Sequence, residues 1–130
     1  MNSTIEQLYQ DIGLAALAIA DDLSGKLLIY SEVEDGVVSA DLFYVNNANL
    51  VRFRFCPKTM KDLIYSLWEH WQQHPNSREW RVMCYIAEDE KFGIDLTYPD
   101  QIKKGEDVSD RRPLAIKKYF DDMKVDYSKP

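Results

Sequence analysis

The sequence predicts an α+β fold, a five-stranded antiparallel sheet with three helices in the order α-β-β-β-α-β-β-α. Three observations carry that expectation. Apolar residues recur at helical spacing near the start, the middle and the end of the chain. Between them, runs rich in Val, Ile, Phe and Tyr come in pairs, as hairpin strands do. Asp35-Gly36, between two such runs, suits the positive φ angles of a tight hairpin turn.

Ser3-Thr4-Ile5-Glu6 has the form of a capping box, and Ile5, Leu8, Ile12, Ala15, Ala16 and Ile19 follow on one face, so the first helix should run from Thr4 to Asp21. "LSGK" breaks it, and "KLLIYSEVEDGVVSADLFYV" supplies two strands around Asp35-Gly36, with "NNAN" as the next turn. "LVRFRFC" alternates, so that Val51, Phe53 and Phe55 should point to the core and Arg52 and Arg54 to water. Pro57 ends that strand, Thr59 can cap a second helix, and Met60, Leu63, Ile64, Leu67, Trp68 and Trp71 form its apolar stripe up to His74-Pro75. "WRVMCYIAEDEKFGIDLTY" gives a second hairpin turning at Glu88 to Lys91. "PDQIKKGEDVSDRR" should be a loop, and Pro113 opens a last helix carrying Leu114, Ile116, Tyr119, Phe120 and Met123. All helices are expected on one face of the sheet, leaving the other face turned outward.

With 130 residues, 45% of them hydrophobic, the chain fits one domain, 1–130, that can bury a core without disulfide or metal support. The formal charge of −6 would repel a phosphate backbone or an anionic lipid surface and suits a basic protein partner. No apolar run approaches the roughly 18 residues of a membrane span, and the N-terminus lacks a basic, then apolar, leader, so a cytoplasmic protein is expected. Cys56 and Cys84 lie in strand-like runs without CxxC spacing and should be buried free thiols.

Chemistry finds little to stand on. His70 and His74 share a helix face at the spacing of paired zinc ligands, but without the glutamate of HExxH, and histidines near a helix C-terminus interact well with the macrodipole. Glu88, Asp89 and Glu90 lack the spacing of a calcium loop and sit at a turn, where solvated charge rather than acid/base chemistry is expected. No nucleophile elbow, phosphate loop or dinucleotide fingerprint occurs. The expectation is a binding protein with no catalytic residue, no metal and no cofactor.

Charge is polarised along the chain: residues 1–50 carry eight acidic side chains and one base, Lys26, whereas residues 51–81 carry six bases and three acids. The outward face should hold Tyr30, Glu32, Asp41, Phe43, Arg52, Arg54, Met83, Tyr85, Asp95 and Thr97, a mixture of aromatics, Arg and carboxylates that suits a protein interface.

"EQLYQDIG", "SADLFYV", "LWEHW" and "WRVMCYIAEDEKFGIDLTYPD" resemble the YezG-like family of bacterial antitoxin and immunity proteins. The most diagnostic matches are Trp80, Lys91-Phe92, Asp95 and Tyr98, with Glu90 where the family pattern has glycine. The resemblance implies a cytoplasmic immunity protein of a polymorphic toxin or contact-dependent growth inhibition system, which binds and blocks a toxin domain, often a nuclease. On that reading Glu32, Asp41 and Asp95 supply charge against a basic cleft, Tyr30, Phe43 and Tyr85 act as anchors, and Arg52 and Arg54 pair with acidic groups at the toxin's rim. The hairpin tips, Glu34-Asp35 and Glu88-Asp89-Glu90, are the second choice of surface. Rival readings are a secretion chaperone or adaptor, and an enzyme acting on a small molecule.

Overall fold

The structure is a computed structural model that describes residues 3–73, 78–89 and 91–127. Its elements are α1 (Ser3–Ile19), β1 (Leu23–Glu34), β2 (Val37–Asn46), β3 (Val51–Phe55), α2 (Lys58–Gln72), β4 (Val82–Glu88), β5 (Lys91–Thr97), a 3-10 turn at Pro99–Gln101, α3 (Val108–Phe120) and β6 (Val125–Asp126). The class is mixed α+β with three helices and one sheet, as expected. The sheet has six strands rather than five, in the order β5-β4-β1-β2-β3-β6, and β6 pairs parallel to β3, so it is not wholly antiparallel. A two-residue strand carries too little periodicity to be read from sequence.

Turn chemistry acts where the sequence places it. Asp35 and Gly36 both take positive φ (52° and 77°), closing the β1–β2 hairpin. In "NNAN", the Asn46 side chain accepts from the N–H groups of Ala48 and Leu50, and Asn49 takes the left-handed conformation. Helix ends differ from expectation. The capping role of the Ser3 side chain and the His74-Pro75 end of α2 fall outside the described residues. Thr59 does not cap α2: Pro57 stands at the N-cap, and its carbonyl accepts from Met60 and Lys61 N–H. α3 starts well before Pro113, because Asp107 caps it and exchanges a second bond with Asp110, so much of the expected loop is helix.

The helices cover both faces of the sheet. α1 and α2 pack on one face over Leu27, Ile29, Leu42, Tyr44, Met83 and Tyr85. α3 packs on the other, where Phe120, Ile116 and Tyr119 meet Leu28, Tyr30, Phe43, Val51 and Cys84. β1 lies at the centre, paired to β2 and β4, and is buried on both sides from Leu27 to Val33. Trp80 is 1% exposed, and its carbonyl accepts from the Trp68 indole, which ties α2 to the start of β4.

Cys56 and Cys84 are buried free thiols, and burial pushes each thiol up to about 12. A disulfide reagent at neutral pH should therefore modify neither in the native state and both once denaturant unfolds the chain.

α1 approaches the sheet closely at Gly13, where an added Cβ would lie 2.7 Å from the Tyr85 hydroxyl. That hydroxyl donates to the Tyr9 carbonyl at 3.0 Å. Gly13→Ala gains about 1 kcal/mol of helix propensity but displaces a buried hydrogen bond whose loss costs about 1–3 kcal/mol. Urea denaturation should show a net loss of about 1 kcal/mol.

Candidate partner-binding site

The residues expected on one outward face divide between two covered ones. Directly paired residues in neighbouring strands share a face, and the register sets Arg54 opposite Leu42 and Arg52 opposite Tyr44, on the α1/α2 side. Tyr85 lies on that side too, whereas Tyr30, Glu32, Asp41, Phe43 and Asp95 lie beneath or beside α3. The phase expected of β3 therefore fails: Val51 and Phe53 face a helix, but it is α3, while Phe55 is exposed and Arg54, expected in water, is buried.

Helix α3 brings its own bases to the sheet acids. Glu32, 2% exposed, accepts two bonds from Arg111 (3.0 Å from Nε and 2.6 Å from Nη2) and one from the Tyr30 hydroxyl at 2.6 Å. Arg81 lies 3.4 Å from Glu32 and also pairs with Glu34. Asp41 pairs with Arg112 at 2.6 Å. Asp95 accepts from Lys118 at 2.7 Å and from the Tyr119 hydroxyl at 2.9 Å. The Lys118 bond, then the Tyr119 bond, hold the Asp95 carboxyl below the usual carboxylate range against the opposing effect of burial. Burial, and then the bond to Glu32, push the Tyr30 phenol far up, so it stays a neutral donor. The carboxylate-bearing face expected to meet a partner is thus an internal interface. Phe43 and Tyr30 are core rather than anchors for a partner.

On the opposite face Arg52 pairs with Asp22 at 3.3 Å, Arg54 donates to the Phe53 carbonyl and lies over the Tyr44 ring, and Tyr85 bonds to Tyr9. These arginines are engaged within the fold. His70 Nδ1 sits 2.8 Å from the Ser66 carbonyl, which places its proton on Nδ1; His74 lies outside the described residues. No group of three or more His, Cys, Asp or Glu among the described residues is arranged to hold a metal ion.

The two hairpin tips point to opposite ends of the sheet, since β1 and β4 run antiparallel. At one end Glu34 and Asp35 are exposed, with Glu34 taken up by Arg81. At the other, Glu88 and Asp89 are exposed and form no ion pair with a described residue; Glu90 lies outside the described residues. That second end also carries Asp21. It carries Asp121 and Asp122 as well, because the Lys26 ammonium at the start of β1 donates to the Tyr119 carbonyl at the end of α3.

Beside Glu88 and Asp89 opens a cleft of about 330 Å³ between α1 and the β4–β5 hairpin. Leu17, Leu23, Leu27, Ala87 and Phe92 line it, with Lys91 and the two carboxylates at its rim. Leu17 and Phe92 are 53% and 52% exposed, so two large apolar side chains stand together in water at one opening. Apolar walls with acidic edges can bind a side chain or helix that is apolar at its centre and basic around it. Sequence reasoning missed these walls. The available signal was Leu14 and Leu17, apolar residues that fall off the stripe of α1 and are both exposed.

Of the residues that carry the resemblance, Lys91-Phe92 lies at this cleft, Trp80 is buried, Asp95 is held by α3, and Tyr98 stacks under Arg78 at 4.2 Å. No helix of the described residues is long and apolar enough to cross a membrane. Comparison with protein-family models and with curated proteins finds no match to this chain.

Proposed function

We propose that this chain is a cytoplasmic immunity protein, an antitoxin that binds a basic toxin domain, a nuclease, and masks its phosphate-binding cleft without catalysis or cofactor. The observation that carries the reading is the acid-rimmed apolar cleft beside the β4–β5 tip, on a chain of net charge −6. Nuclease clefts are basic because they hold phosphate, and unpaired surface carboxylates steer such a cleft toward them over several ångströms before contact. Affinity then comes from burying Leu17 and Phe92, which water otherwise surrounds. The surface differs from the one composition and strand phase suggest: Glu88 and Asp89 take the role expected of Glu32, Asp41 and Asp95.

The test is to capture the native partner on the tagged protein and assay its nuclease activity. Activity abolished at one equivalent of this protein supports the reading. A captured partner whose activity is unaffected, or a substrate turned over by this chain alone, would sink it.

A further inference from the structure

We propose that two copies of this chain pair edge to edge through β5, antiparallel, with Gly93 on the two-fold axis, joining two sheets into one. The inference stands apart from the identity of any toxin.

It begins with which backbone groups the edge leaves free. Val33 N–H donates to the Arg81 carbonyl, so on β4 the residues Met83 and Tyr85 bond toward β1, and Val82, Cys84, Ile86 and Glu88 bond toward β5. Their partners Thr97, Asp95, Gly93 and Lys91 therefore face inward. Phe92, Ile94 and Leu96 direct their N–H and C=O groups away from the sheet, and no described residue bonds them. An edge of this length normally carries proline, a bulge or a covering element. None of these interrupts Lys91–Thr97, whose charges are limited to Lys91 and Asp95, and the opposite edge is already covered by β6 at Val51 and Arg52 and ends at Pro57.

Charge selects the partner and the register. An isologous contact must be self-complementary. Centred on Gly93, antiparallel β5 strands set Lys91 of each copy opposite Asp95 of the other, on the face where α3 lies, and Phe92 opposite Ile94 on the α1 face. Centred on Phe92, Lys91 would face Gly93; centred on Ile94, it would face Thr97; centred on Asp95, two carboxylates would meet. Only the Gly93 register pairs opposite charges, and it does so twice, each Lys91 approaching the exposed side of an Asp95 that Lys118 already holds through Oδ2. Nothing lies within 4 Å of the position a Gly93 Cβ would take, so a cysteine side chain fits there without displacing a neighbour. A second, open cleft of about 390 Å³ runs along this edge between Tyr9, Gln10 and Phe92. The incoming Ile94 and Phe92 would enter it beside the Phe92 ring, which also borders the cleft between α1 and the β4–β5 hairpin and stays open on that side.

The experiment is sedimentation over a range of concentrations, with cysteine cross-linking to fix the register. The mass should rise from 15.2 kDa toward twice that value. Gly93→Cys should give a disulfide-linked dimer on mild oxidation, because directly opposite residues in a non-bonded pair have Cα atoms about 4.5 Å apart, within disulfide reach. Ala18→Cys, on the exposed side of α1, is the control, and the two native thiols are buried. Lys91→Glu turns two attractive pairs into repulsive ones on an exposed side chain and should weaken the dimer about tenfold. A monomer at every concentration would overturn the proposal, including one whose β5 pairs only with a toxin strand. So would Gly93→Cys cross-linking no faster than the control, or a dimer indifferent to Lys91→Glu.

Discussion

Replacing Glu32, Asp41 and Asp95 together by lysine should unfold the protein, or strip α3 from the sheet, before any partner is added. Glu32 is buried against Arg111 and within reach of Arg81, so removing its carboxylate leaves the buried Arg111 guanidinium with only its Glu106 contacts and strips Nε and Nη2 of their partner, a loss of about 3 kcal/mol before repulsion is counted. Asp41 and Asp95 are more exposed, and their pairs with Arg112 and Lys118 contribute up to about 1 kcal/mol each. A domain stable by about 5–15 kcal/mol has little left after that. Far-UV circular dichroism should show most of the native signal lost at 25 °C. Wild-type melting with reduced binding alone would contradict the internal role assigned to these acids. The double replacement Glu32→Leu/Arg111→Met should cost less than the two single changes combined, because neither charge is then left unpaired. Acid acts on the same interface. The Asp95 carboxyl titrates lower in the fold than in the unfolded chain, so its contribution is whole above the unfolded pKa and fades as pH falls through the folded one.

Glu88→Gln combined with Asp89→Asn should instead leave stability within about 0.5 kcal/mol of wild type and weaken binding of a basic partner by about 2–3 kcal/mol. Both side chains are exposed. Asparagine is the right replacement at position 89 because that residue holds a φ of 52°, which Asn tolerates and lysine does not. Titration calorimetry across salt concentrations would separate the outcomes. A loss that shrinks as salt rises identifies steering charges. Unchanged affinity at low salt would remove the β4–β5 tip from the binding surface.

Much of the fold was legible because its signals are local. The Asp35-Gly36 turn and the apolar stripes of α1 and α2 each sit within a few residues of one another. The orientation of the faces was not, and one overlooked run explains why. Leu27, Leu28, Ile29 and Tyr30 are consecutively apolar, the mark of a strand buried on both sides, and β1 is such a strand. Given that, a third helix must cover the second face, and its bases Arg111, Arg112 and Lys118 become candidates for the sheet acids. Which base meets which acid depends on contacts as much as 79 residues apart, and no sequence spacing encodes them. Of the candidate site, the exposed pair Glu88-Asp89 was visible at a turn. The cleft beside it arises where α1 and the hairpin converge, which only tertiary packing fixes.

In the proposed function, the end of the sheet formed by the β4–β5 tip, the close of α1 and the start of β1 receives the partner. Amide hydrogen exchange of the protein alone and in complex with its captured partner tests it most directly. Protection concentrated in residues 13–27 and 85–92 is the predicted footprint. Protection concentrated instead around Glu34, Asp35 and Arg81, at the far end of the sheet, would contradict it.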